Sequence, residues 1–125
     1  MSADKLVRDV MSKALISVDP ATTVFQVAKM MEQGIGAVLV KKDGVPAGII
    51  TDRDYAIRIA VNNVSMDTPV EKAASFPLIT INGGETLTNA ASQMSTKKIR
   101  KLVVVDDGKI VGIITSTDLV TQMAA

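Results

Sequence analysis

Apolar residues recur along the chain with two periods, and each period occurs twice. Val24, Val27, Ala28 and Met31 fall at i, i+3, i+4 and i+7, and Leu87, Ala90, Ala91 and Met94 repeat that spacing. The pattern predicts two amphipathic helices. Beyond each helix, AVLV precedes KKDG and KLVVV precedes DDG, and a second apolar run ending in GIIT follows. Two strands joined by a turn are predicted in each case, with Asp-Gly supplying the positive-φ positions. DYAIRIAV after the first GIIT and DLVTQMAA after the second predict a closing helix. Each half of the chain therefore reads as a short strand, a helix, two strands and a helix.

The halves can be laid on one another residue by residue. Val7, Leu15, Ile16, Thr23 and Met31 meet Val70, Leu78, Ile79, Thr86 and Met94 at an offset of 63. After one inserted residue the offset is 64, and Ile35, Val40, Asp43, Gly44, Gly48, Thr51 and Asp54 meet Ile99, Val104, Asp107, Gly108, Gly112, Thr115 and Asp118. A duplicated unit follows: repeat 1 over residues 1–62, a polar link NVSMDTP over 63–69, and repeat 2 over 70–125. A unit of about sixty residues is marginal alone, so the two are expected to share one core.

Composition narrows the chemistry. At 125 residues the chain has the size of one domain, enough to bury about two-thirds of its unfolded surface. It contains no cysteine and no histidine, which excludes disulfides, thiolate metal sites and Ser-His-Asp catalysis. No metal site and no catalytic residue is expected. The termini MSADKLVRDV and TQMAA carry neither a signal-like segment nor a membrane-length apolar run, so a soluble cytoplasmic protein is expected. Fourteen basic against thirteen acidic residues give a net charge of +1, far from the strongly basic balance of a nucleic-acid binder.

The repeated GIIT-x-x-D is the candidate for chemistry, and it has two readings. Thr with Asp three residues later is a capping box that starts a helix, and the glycine permits close packing. The same geometry offers unpaired N–H groups, a hydroxyl for a phosphate or ribose, and a carboxylate that accepts paired hydroxyl donors. The two roles are compatible.

DDGKIVGIITSTDL and KDGVPAGIITDRDY, with VRDVM and IRKLVVVD, resemble the cystathionine-β-synthase (CBS) domain, present as a tandem pair or Bateman module. The resemblance covers nearly the whole chain. It implies an α+β fold of two β-α-β-β-α repeats packed as a pseudo-twofold pair, with two clefts for adenosine-containing ligands: AMP, ADP or ATP, with S-adenosylmethionine or NAD as further possibilities. In the family the aspartate of the motif holds ribose hydroxyls and the threonine contacts phosphate. Carried over, one cleft uses Ile113, Thr115, Thr117 and Asp118 with Met11, Ile16 and Ile35, and the other uses Thr51, Arg53 and Asp54 with Pro77, Leu78, Ile79 and Ile99. Arg100 and Lys101 stand where the family presents phosphate-contacting side chains. Read without the family, Ile16, Leu78 and Ile79 are strand residues that a core needs anyway, and Lys97, Lys98, Arg100 and Lys101 form a solvated edge. Arg53, a cation at a helix start, is unfavourable to the helix and suits a nearby anion.

The repeats also depart from one another. Gly36-Ala37 stands opposite Arg100-Lys101, Val10-Met11 opposite Ala73-Ala74, and Asp19-Pro20-Ala21 opposite Asn82-Gly83-Gly84, so the two clefts should differ. Asp54 and Asp118 have no evident acid-base partner, and an enzyme is not expected. The expectation is a stand-alone nucleotide sensor acting in trans on a partner protein, and a homodimer through the helices after each GIIT. The alternatives are a ligand-free dimeric scaffold and a nucleic-acid-binding module.

Overall fold

A computed structural model describes residues 4–124. In chain order the elements are α1 (Val7–Val10), β1 (Ser17–Val18), α2 (Val24–Glu32), β2 (Ala37–Lys42), β3 (Val45–Thr51), α3 (Asp52–Asp54) running into a π-helical stretch (Tyr55–Ala60), a 3-10 turn (Val70–Lys72), β4 (Thr80–Asn82), α4 (Leu87–Lys97), β5 (Lys101–Asp106), β6 (Lys109–Thr115) and α5 (Ser116–Ala124). The mixed helix and strand content, gathered into two three-stranded sheets, is the α+β architecture expected of the tandem repeats. In each sheet a parallel pair, β1-β2 or β4-β5, is extended by an antiparallel hairpin, β2-β3 or β5-β6.

Local chemistry accounts for these elements. Thr23 caps α2 in a full capping box, its hydroxyl accepting from the Gln26 N–H while the Gln26 side chain accepts from the Thr23 N–H. Thr86 caps α4 by accepting from the Asn89 N–H at 3.1 Å. The hairpins turn through Asp43-Gly44 and Asp107-Gly108, with φ values of 53° and 82°, and 50° and 75°, the left-handed pair that a two-residue hairpin requires. α4 ends where Lys98 takes φ 55°.

The chain divides into two compact units that cut across the repeats. One joins the chain up to Leu15 with the segment from Ile79 onward, and the other is Ile16–Leu78. Each repeat's leading segment is thus packed on the sheet of the other repeat, through matching hydrogen bonds. Val7 N–H donates to Glu85 O at 2.8 Å, Arg8 N–H to Gly83 O at 3.0 Å, and Ser12 exchanges both backbone bonds with Ile113. In the other unit Val70 N–H donates to Thr22 O at 2.7 Å, Glu71 N–H to Pro20 O at 3.2 Å, and Ser75 exchanges both bonds with Ile49.

Instead of one shared core there are two. Val24, Val27, Val38, Val40, Ile50, Ile59 and Val70 form the first, and Val7, Ile81, Ala90, Met94, Leu102, Val104 and Ile114 the second. The exchange explains this outcome, because Val7 and Val70, each fully buried, complete the core of the opposite repeat. Each burial stabilises by about 1.5–3 kcal/mol.

The segment after the first GIIT also differs from expectation. α3 is a single turn, after which Val61 N–H bonds to Ala56 O and Val64 N–H to Ile59 O, five residues back. The widened turn is held at its sides by the Tyr55 hydroxyl, which donates to Val24 O at 3.0 Å, and by the Asn62 amide, which donates to Ile57 O and Arg58 O. Ile59 is thereby kept in the core.

Candidate functional site

Each GIIT-x-x-D ends an edge strand and opens a helix, and both form the capping box that the spacing predicts. Asp54 Oδ2 accepts from Thr51 N–H at 3.1 Å while Thr51 Oγ1 accepts from Asp54 N–H at 3.1 Å. The second motif repeats this with Asp118 Oδ2 and Thr115 N–H at 2.9 Å, and Thr115 Oγ1 and Asp118 N–H at 3.2 Å. The box consumes one carboxylate oxygen and one hydroxyl lone pair per motif. What it leaves is a second carboxylate oxygen and a hydroxyl proton, half-buried and held in fixed orientation. A carboxylate oxygen beside a hydroxyl is a suitable acceptor for a sugar diol.

The motif glycines are explained by the exchanged segments. A Cβ on Gly112 would lie 2.6 Å from Met11 Sδ and 2.7 Å from the Ser12 carbonyl, and one on Gly48 would lie 2.5 Å from the Phe76 ring. At either site a side chain would require the crossing segment to shift, at Gly48 the ring of Phe76 and at Gly112 the Ser12 backbone as well as Met11.

The unit containing Ile79 onward gathers Met11, Ile79, Ile99, Arg100, Lys101, Ile113, Thr115, Thr117 and Asp118. Thr115 is paired across the hairpin with Lys101, and the start of α5 is tied to the preceding strand by Ser116 N–H donating to Arg100 O at 2.8 Å. The backbone of Arg100 and Lys101 therefore adjoins the Thr115–Asp118 box. Thr117 and Arg100 are exposed, and Lys101 is half-buried. The other unit gathers Ile16, Ile35, Thr51, Arg53, Asp54, Pro77 and Leu78, with Thr51 paired to Ala37, where no cation stands. Ile16 and Ile35, assigned by the resemblance to the Asp118 ligand, and Ile79 and Ile99, assigned to the Asp54 ligand, thus belong to the opposite units.

Several of these residues also have structural work. Ile35 and Ile99 pack on their own units' cores, as does Met11, and the carbonyls of Ile16 and Ile79 accept from Leu39 N–H and Val103 N–H of the sheets. The electrostatic argument for Arg53 weakens, because α3 has only one α-helical turn and carries Asp52 and Asp54 in it. A hollow of about 310 Å³ that the sequence did not point to opens between α4 and α5, lined among others by Leu87, Thr88, Ala91, Leu119 and Met123. It excludes the Thr-Asp set. Among the described residues no cluster of three or more acidic, His or Cys side chains could hold a metal ion, and no helix is long and apolar enough to cross a membrane.

The family model described as the CBS domain matches twice, over residues 7–61 and 61–125. The chain belongs to the CBS-domain family. It is 36% identical to the CBS domain-containing protein YhcV of Bacillus subtilis over 120 residues, which cover 94% of this chain and 86% of that one. Among solved structures, an uncharacterized conserved protein from Pyrococcus horikoshii superposes with a TM-score of 0.90 at 31% identity, over 100% of this chain and 96% of that one. The CBS domain pair of protein MJ0100, determined in complex with 5′-methylthioadenosine and S-adenosyl-L-methionine, superposes with a TM-score of 0.83 at 29% identity, over 98% of both chains. Other relatives are longer: this chain spans 60% of an uncharacterized protein of Methanopyrus kandleri and 23% of a protein of Methanosphaerula palustris named homoserine O-acetyltransferase.

Proposed function

We propose that this CBS pair is a regulatory sensor that binds an adenosine-containing ligand of the AMP, ADP or ATP class and signals its presence to a partner protein. The observation that carries the reading is the twice-built box, in which Thr51–Asp54 and Thr115–Asp118 each keep a carboxylate oxygen and a hydroxyl available after capping. The carboxylate takes the ribose diol, the hydroxyl a phosphate oxygen, and Arg100 and Lys101 the phosphate charge. The MJ0100 pair, with two adenosine derivatives bound, supports the ligand class. A non-enzymatic role and a cytoplasmic location belong to this reading of a CBS pair as a nucleotide sensor.

A panel of AMP, ADP, ATP, S-adenosylmethionine and NAD tests the reading by thermal denaturation, because a ligand that binds only the folded state stabilises it by mass action. At least one member should raise the melting temperature, with matching heat in calorimetry. No shift and no heat with any member would favour the ligand-free dimeric scaffold, for which the capping role of both motifs is sufficient.

A further inference from the structure

We infer that the leading segments are keyed to their sheets by opposite charge and by shape, so that each fits the other repeat and is refused by its own. The backbone cannot make this choice, because the bonds made by Val7, Arg8 and Ser12 are the same, position for position, as those made by Val70, Glu71 and Ser75.

The side chains at these stations are reversed. Arg8 donates to Asp106 through Nε at 3.3 Å and Nη2 at 3.1 Å, a forked ion pair across the exchanged junction. The duplication places Glu71 at the station of Arg8 and Lys42 at the station of Asp106. Glu71 and Lys42 make no ion pair of the Arg8–Asp106 kind, and both are exposed, but their signs are the mirror of the other unit's. Docking each segment on its own repeat would set Arg8 against Lys42 and Glu71 against Asp106. Like charges brought together reject the wrong partner even where the right pair adds little.

Shape acts in the same direction. A Cβ on Gly83 would lie 2.5 Å from the Asp106 carboxylate, and one on Gly84 would lie 3.3 Å from the Arg8 guanidinium. The two glycines make room for this ion pair. At the corresponding stations the other repeat has Pro20 and Ala21, which carry the Cβ atoms that the two glycines lack. Arg8 has a seat on one sheet only.

The chain has no cysteine, so disulfide trapping can report the docking in the full-length protein. Residues that exchange both backbone bonds lie about 5.5 Å apart at Cα, within disulfide reach. Ser12→Cys with Ile113→Cys reports the present docking, and Ser12→Cys with Ile49→Cys reports the other, within one chain or between two. In the parent sequence the first pair should cross-link at least tenfold more than the second. Adding Arg8→Glu and Glu71→Arg together should lower the first yield and raise the second, and further adding Lys42→Asp and Asp106→Lys should restore the parent ratio. Should the double exchange fail to fold, recovery of folding in the fourfold exchange would support the key, and failure of that variant too would overturn it. An unchanged cross-link ratio in the double exchange would also overturn it.

Discussion

In the proposed function Thr115 and Asp118 cap α5 with one set of atoms and meet the ligand with another, and that division predicts how their variants behave. Asp118→Ala removes the acceptor for Thr115 N–H, which should cost about 0.5–2 kcal/mol of stability in urea denaturation, the usual range for a lost cap. On the proposed function the same change also removes the charged acceptor for the ribose hydroxyls, worth about 1.5–3 kcal/mol, or roughly ten- to more than a hundredfold in affinity. In a calorimetric titration Asp118→Ala should abolish the tighter event and Asp54→Ala should spare it, since Arg100 and Lys101 belong to the repeat that carries the Asp118 box and charge-assisted bonds are the stronger ones. Arg100→Ala should weaken AMP far more than adenosine. Loss of the tighter event in Asp54→Ala instead would reassign the phosphate contact to Arg53. Asp106 gives a prediction that needs no ligand. Its hydrogen bond from Arg8 and the guanidinium charge lower its pKa, so the pair stabilises above the ordinary carboxylate value, and the contribution fades as pH falls through the lowered one. The urea midpoints of the parent and Asp106→Asn should therefore differ near neutrality and converge once the pH has fallen below the ordinary carboxylate range.

The elements were legible wherever their cause is local. Val24 to Met31 and Leu87 to Met94 form helices on the predicted faces, Asp-Gly turns both hairpins, and Thr-x-x-Asp caps both closing helices. Two things escaped because their cause is distant in the chain. The widened turn over Tyr55–Ala60 depends on what Tyr55 and Ile59 reach in α2 and the core, which helical periodicity does not report. Likewise, nothing in the spacing of Val7 or Val70 says which sheet it completes. The candidate site was legible as a motif in each repeat, but the reason for its glycine was visible only once Met11 and Phe76 lay over the strands. That reason ranks two substitutions. Gly112→Ala drives a methyl into the Ser12 carbonyl as well as Met11, and backbone held by the Ser12–Ile113 bonds cannot yield. For Gly48→Ala the three nearest atoms all belong to the ring of Phe76, which is 40% exposed and can swing out. Gly112→Ala should cost about 1–3 kcal/mol in urea denaturation, and Gly48→Ala clearly less.

At the scale of the whole molecule, the surface of the closing helices calls for a partner. Val120 and Met123 on α5 are 63% and 85% exposed, and Ile57 and Val61 in and after the π-helical stretch are 48% and 77% exposed. Large apolar side chains exposed on α5, beside an open hollow at Met123, are expected to form an interaction surface, and Ile57 and Val61 offer a second such patch on the other unit. A second copy of the chain is the simplest occupant, because both motifs of every molecule then bury the same helices. A twofold interface loses each substituted residue twice, so its response to mutation is steep. Sedimentation at micromolar concentration should give a dimer for the parent chain. Val120→Glu with Met123→Glu should shift it to monomer by at least tenfold in dissociation constant, because burying each parent side chain is worth about 1.5–3 kcal/mol and a carboxylate in its place must be desolvated. Both positions lie outside the two cores and the Thr-Asp boxes, so the variant should keep its melting profile at high dilution and its response to the nucleotide panel. A parent chain that sediments as a monomer would remove the dimer and leave this face for a different protein, the one that a sensor acting in trans requires.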